Sequence, residues 1–225
     1  KRTADEYAVW LTQLMSLISI EPKDIGSAII ATVVPEARFN LVTMCEKYFG
    51  CEPMMIGDPA LDLGVSIRIS RPEQVGADRL VNTVAAHERY GKALIIIDFG
   101  TATTFDVIDE DGGFCGNVIA PGIHLSMDAL SMASALLPRV DVRKTDEVIG
   151  KATVPAMQSG VFWGYIAMID GLVARIREEY GQPLLVVATG GLAPLFAETS
   201  PSIDHVYSNM TIRGLELIHR RNSER

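Results

Sequence analysis

The sequence predicts an α/β protein built on a mixed sheet. Three observations carry this. Strand-like and helix-like segments alternate along the chain, a meander runs through residues 93–120, and no Gly/Ser linker, tail or short-period repeat interrupts the pattern. Thr3-Ala4-Asp5-Glu6 is a capping box, and Val9, Trp10, Leu14, Leu17 and Ile18 follow at helical spacing to about Ser19. Ser27 to Val34 reads as a buried strand, closed by Pro35, which opens a helix ending by Gly50. Gly64 to Ile69 alternates as a strand would, and Ala77 to Tyr90 is a helix closed by Gly91. Ala93 to Asp98 is the strongest strand. It breaks at Phe99-Gly100-Thr101 and resumes as Thr103 to Asp109. Asp111-Gly112-Gly113 is a hairpin turn, from which Cys115 to Ala120 returns. Pro121-Gly122 opens a helix to about Leu136, and a polar connector runs from Pro138 to Gly150. Residues from about Pro155 to Tyr180 form one long helix with two apolar stripes. Phe162, Ile166, Ile169, Val173 and Ile176 make one; Val154, Met157, Val161, Tyr165, Met168 and Leu172 make the other. A helix against a single sheet needs one stripe, so the second calls for another helix or a partner subunit. Leu184 to Ala188 is a buried strand, Gly190-Gly191 a tight turn, Ala193 to Glu198 a short helix, Asp204 to Tyr207 a short strand, and Asn209 onward a terminal helix. The best internal boundary lies just before Ala93, giving lobes of residues 1–92 and 93–225.

Composition narrows the function. Apolar residues are 48% and charged residues 21% of the 225, which excludes a disordered chain, a collagen and a coiled-coil rod. Apolar runs such as Ala93 to Ile97 fall far short of the roughly 20 residues of a membrane helix. No secretory signal segment stands at the start. A net charge of −8 argues against holding nucleic acid by phosphate neutralisation. Cys45, Cys51 and Cys115 have no metal spacing and suit a reducing cytoplasm, which is the expected location. His87, His124, His205 and His219 form no metal spacing either and read as surface or core.

Three segments offer chemistry. Asp98-Phe99-Gly100-Thr101-Ala102-Thr103-Thr104 puts a carboxylate at a strand end, a glycine that lets a phosphate approach, and three hydroxyls able to donate to anionic oxygens. By itself it reads equally as a glycine hairpin turn with strand-forming threonines. Val186 to Gly191 ends a strand in paired glycines before a helix, which suits a nucleotide near a helix N-terminus and also suits an ordinary turn. Two such turns, set apart in sequence, are able to grip opposite ends of one nucleotide. Gly76-Ala77-Asp78-Arg79 starts a helix. Asp78 there is either a dipole partner or a base for a hydroxyl proton, beside a guanidinium that holds a carboxylate. Thr153, ahead of the long helix, is an N-cap candidate.

Together these pieces resemble the acetate and sugar kinase/Hsp70/actin superfamily, which implies a two-lobed actin-like (ribonuclease H-like) ATPase fold with mixed sheets. Asp98-Phe-Gly-Thr101 looks like its second phosphate motif and Thr189-Gly190-Gly191 like its adenosine motif. Gly-Ala-Asp-Arg ahead of Asp-Phe-Gly-Thr-Ala-Thr-Thr resembles type III pantothenate kinase, as do Ala120-Pro-Gly122, Leu137-Pro138 and the stretch from Thr153 to Gly160. The resemblance runs from about Thr3 to Ile218. It implies ATP-dependent phosphorylation of pantothenate at the first step of coenzyme A synthesis. It also implies a homodimer, a monovalent cation (potassium or ammonium) and Mg2+ with ATP. By position, Asp78 matches the proton acceptor, Gly76, Ala77 and Arg79 the rest of the substrate motif, and Thr153 a substrate contact. Asp98 matches the cation ligand, and Gly100, Thr101, Gly190 and Gly191 the ATP contacts.

Two departures stand beside the resemblance. The family opens with a strand and an Asp-x-Gly-Asn-Thr motif, to which Asp62-Leu63-Gly64 is the nearest match without the hydroxyls; a strand-hairpin of about thirty residues is expected ahead of Lys1. Ile69 occupies the place of a substrate-facing tyrosine. The alternative readings are a non-catalytic binding or regulatory relative, and a kinase for another small hydroxy acid or sugar.

Overall fold

The structure is a computed structural model that describes residues 2–133 and 137–223. The chain falls into two compact units interleaved in sequence: Lys1–Gly64, Arg71–Ala85 and Thr211–Arg225 form one, Val65–Ser70 and Ala86–Met210 the other.

The first unit begins with α1 (Ala4–Ser16), started by the expected capping box: the Glu6 amide donates to Thr3 Oγ1 at 3.3 Å and the Thr3 amide to Glu6 Oε2 at 2.6 Å. The short β1 (Ile29–Ile30) pairs in parallel with β2 (Met54–Met55). The strand expected over 27–34 is thus only two residues long. Thr32 Oγ1 accepts from the Val34 amide at 3.1 Å, a side-chain turn that competes with strand pairing, and Val33 and Val34 are exposed. Pro35 then opens α2 (Pro35–Met44), which passes into a π-helical turn over Cys45–Phe49 and stops at Gly50, in the left-handed region at φ 66°. Ala4 and Ala8 of α1 pack on Met44 and Cys45, and burial, with Cys51 and Glu46 nearby, pushes the Cys45 thiol up to about 11. α3 (Ala77–Tyr90) follows the expected bounds.

The second unit is a five-stranded mixed sheet of order β5-β4-β3-β6-β7. β3 (Leu94–Phe99), β4 (Ala102–Ile108) and β5 (Phe114–Pro121) form the antiparallel meander. α4 (Ile123–Ala133) and α5 (Thr153–Tyr180) come next; the last residues of the expected α4, 134–136, lie outside the described residues. β6 (Leu185–Thr189) returns parallel to β3, and α6 (Ala193–Ala197) leads to β7 (His205–Val206), parallel to β6. The strand expected over 64–69 is not formed; Ile67 makes an isolated bridge to Phe114, after Gly64 turns left-handed at φ 71°. Arg68 holds that segment to the hairpin, reaching Asp109 at 2.6 Å and Asp111 at 3.2 Å. Burial pushes the Asp109 carboxyl up. The Gly113 amide, the Cys115 thiol, Arg68 and the Asp111 amide outweigh this and hold it below its ordinary value.

One sheet face, with Ile95, Ile97, Phe99 and Phe105, packs on Phe162, Ile166, Ile169 and Val173 of α5 and on Phe196 of α6. Phe196 stacks on Phe99 at 5.2 Å and on Phe162 at 5.3 Å between ring centroids. By length and composition α5 is also long and apolar enough to cross a membrane, contrary to the reading from apolar runs; in this fold it supplies much of the core. Its second stripe finds α4: Val161 and Tyr165 share the core with Ile123 and Met127. α5 begins at Thr153, two residues before the expected start, with Ala152 as N-cap.

The terminal helix, α7 (Met210–Ser223), groups with the first unit from Thr211 onward, whereas a single cut before Ala93 assigns it to the second lobe. Thr211 Oγ1 donates to Asn82 Oδ1 at 2.7 Å, and Gly214 lies where any Cβ would overlap the Val81 carbonyl.

Candidate active site

β3 and β6 are neighbours in the sheet, run in the same direction and end together, with Asp98 opposite Thr189. Crevices at the carboxyl ends of parallel strands are where ligands bind in α/β sheets. Here both end in glycine turns. In the first, the Gly100 amide donates to the Ala102 carbonyl at 3.1 Å, which leaves Gly100 and Thr101 exposed. In the second, Gly190 has φ 91°, and a Cβ there would meet the backbone oxygen of Phe99 at 2.7 Å. Only glycine gives this conformation and this approach without strain. Gly191 has open space around it.

A cavity of about 590 Å³ opens on these turns, lined by Phe99, Gly100, Thr101, Gly191, Leu192 and, from α4, His124, Leu125 and Asp128. Gly122 fixes that helix, since any Cβ at this position would overlap the Thr101 carbonyl. Thr101 lines the cavity, but the other two threonines do not. Thr103 is fully buried, with no hydrogen-bond partner for its Oγ1 among the described residues. Thr104 is 7% exposed, and its Oγ1 reaches Asp106 Oδ2 at 3.5 Å. The reason is the strand itself: past Ala102 the side chains alternate between two covered faces. His124 and Asp128 carried no motif in the sequence. The signal available was their four-residue spacing directly after Pro121-Gly122, which sets both on one helix face.

Thr153 lines a second cavity, about 940 Å³, between α4 and α5, with Ser126, Leu130, Gly160, Gly164 and Tyr165 among its walls. Its polar groups are ordered: Tyr165 Oη donates to the Pro121 carbonyl at 2.8 Å, so Ser126, 2.6 Å away, donates to Tyr165.

Gly76, Ala77, Asp78 and Arg79 lie in the first unit, at the start of α3. Asp78 Oδ1 accepts from the Arg79 amide at 2.9 Å, and a Cβ at Gly76 would stand 2.6 Å from that oxygen. Glycine therefore makes room for the carboxylate over the helix start. Ile69 is half-buried in the second unit. The structure thus gathers Asp98, Gly100, Thr101, Gly190 and Gly191 at one sheet end, sets Thr153 on a separate cavity of the same unit, and keeps Gly76 to Arg79 together on one helix turn.

The sheet with its paired strand-end turns defines the class as an actin-like ATPase-fold protein. The family model for type III pantothenate kinase matches residues 1–175. The type III pantothenate kinase of Paramagnetospirillum magneticum is 60% identical over 223 residues, 99% of this chain and 86% of that protein. That of Rhodospirillum rubrum is 58% identical over 98% of this chain and 86% of its own length. This chain belongs to the type III pantothenate kinase family. Among solved structures, a Baf family transcriptional activator from Campylobacter jejuni superimposes with a TM-score of 0.61 over 88% of this chain and 83% of its own. At 20% identity, that likeness is one of fold alone.

Proposed function

We infer that the chain transfers the γ-phosphoryl of ATP to the primary hydroxyl of pantothenate, giving 4′-phosphopantothenate and ADP at the first step of coenzyme A synthesis. Family membership across most of the chain, with Gly76 to Arg79 intact at the start of α3, carries this reading. The hydroxyl oxygen forms the new bond to the γ-phosphorus, the bond from that phosphorus to the β-bridging oxygen breaks, and the hydroxyl proton passes to Asp78. Oδ1 of Asp78 is engaged by the Arg79 amide, so the side chain is oriented and Oδ2 takes the proton. Arg79 pairs with the pantothenate carboxylate, and Thr153 contacts substrate from the α5 start. Gly100 and Thr101 receive the phosphates, and Gly190 and Gly191 the adenosine. Phosphoryl transfer asks the protein mainly for positioning and charge neutralisation.

Asp98, half-buried where β3 ends opposite Thr189, offers a carboxylate that would hold a hard monovalent cation such as potassium or ammonium. That ion, and Mg2+ accompanying ATP, would supply countercharge to the phosphates. A homodimer is part of the same reading. Ala156, Gly160, Gly164, Ala167 and Gly171 give α5 an exposed face of small residues on which a second copy fits closely. The three free thiols agree with a cytoplasmic location.

The test is ADP release with ATP, Mg2+ and pantothenate, in potassium and then sodium buffer. Pantothenate-dependent release that rises with potassium is expected. No release in either buffer from folded protein would overturn the reading and favour a non-catalytic relative.

A further inference from the structure

We propose that Asp128 is a nucleotide-specificity residue whose carboxylate accepts hydrogen bonds from the ribose hydroxyls of the bound nucleotide. The proposal rests on the reading of the 590 Å³ cavity as the ATP site. That cavity has two sides: the glycine turns that end β3 and β6, and one face of α4 carrying His124, Leu125 and Asp128. Gly122, closed against the Thr101 carbonyl, fixes where α4 starts relative to the first turn. From His124 to Asp128 the helix rises about 6 Å, so the two polar side chains share a face at different distances from Thr101.

Charge decides what each can meet. A carboxylate accepts only and repels a polyphosphate, so Asp128 is misplaced beside phosphate oxygens. The donors an ATP molecule offers are its ribose hydroxyls and its adenine amino group. The α4 start stands at the Thr101 backbone, read above as a phosphate contact, and Asp128 lies about one helical turn further on. One turn from the phosphates is the ribose; the base lies beyond it. His124, nearer to Thr101, faces the phosphate side, where an imidazole donor is useful. Among the described residues no hydrogen bond or ion pair engages the Asp128 carboxylate, so the ligand need not displace a protein partner.

The experiment compares ATP, 2′-deoxy-ATP and 3′-deoxy-ATP as substrates of the unaltered chain and of Asp128→Ala, with calorimetric binding of ADP and 2′-deoxy-ADP as a readout independent of turnover. Removing a hydroxyl that bonds a charged acceptor is expected to cost the unaltered chain about tenfold in kcat/KM. In Asp128→Ala the ATP value falls by a similar factor and the deoxy penalty shrinks below about twofold. A deoxy penalty that persists undiminished in Asp128→Ala, or is absent from the unaltered chain, overturns the proposal. Thr101→Val separates the two layers. If it weakens nucleotide binding while the deoxy penalty is untouched by Asp128→Ala, the cavity is the nucleotide site and Asp128 does not read the ribose. If it leaves nucleotide binding unchanged, the cavity reading falls as well.

Discussion

The carboxylate of Asp78 is held by its own helix start: Oδ1 takes the Arg79 amide, and the missing side chain of Gly76 leaves the space for it. An amide at this position keeps the size and can keep that contact through its oxygen, but it cannot take a proton. Asp78→Asn is therefore expected to lower kcat by about a hundredfold or more while the KM for ATP stays within about threefold. Steady-state kinetics with ATP varied checks it, and near-normal turnover would remove Asp78 from the role of base. At this scale the sequence offers candidates where chemistry requires a residue type at a fixed offset, and Asp78, Asp98, Thr101 and both glycines of the second turn are proposed on that ground. It offered no motif at Asp128, an exposed mid-helix carboxylate that the fold sets along the cavity. It over-read Thr103 and Thr104, because a hydroxyl inside a strand has the same letter whichever face the pleat gives it.

Elements with their own local signal were legible from it. The Thr3 capping box, Pro35, the bounds of α3 and the β3–β4–β5 meander all appear where propensity and turn chemistry put them. The segments over 27–34 and 64–69 look like strands by composition, yet a strand needs a neighbour to pair with, and pairing partners are not a local property. The turn after β6 is the element on which the site geometry leans most. Gly190→Ala puts a side chain at φ 91° and against the Phe99 backbone, a combination expected to cost about 2–4 kcal/mol. Denaturant unfolding of the variant measures it; a loss under about 0.5 kcal/mol would mean the turn relaxes freely. Gly191, with open space about it, should tolerate alanine far better in stability, so the pair separates a folding requirement from a ligand-approach requirement.

At the scale of the whole molecule, the interleaving of the two units was the least legible feature. The bond from Thr211 to Asn82 joins residues 129 apart in sequence, and nothing near either residue announces the other. The second stripe of α5 was read correctly as needing another neighbour, and α4 meets part of that need. The small-residue face of the same helix is where association is expected. Gly164→Leu improves intrinsic helix propensity by about 0.8 kcal/mol, so it should not unfold an exposed helical position. It should, however, block close approach of a second copy and shift sedimentation toward the monomer. A variant that stays dimeric would place the subunit contact elsewhere.

Gly122 and Gly190 both come close against the backbone of the Phe99-Gly100-Thr101 turn. In a growth-based screen of every single substitution, both would rank with Asp78 as intolerant, although any residue larger than hydrogen there acts by shifting backbone rather than by touching a reacting atom. Reading such a screen as a map of chemistry would therefore overcount the catalytic residues. Scoring protein abundance and turnover side by side would sort them, because the two glycines fail in abundance first and the aspartate in turnover alone.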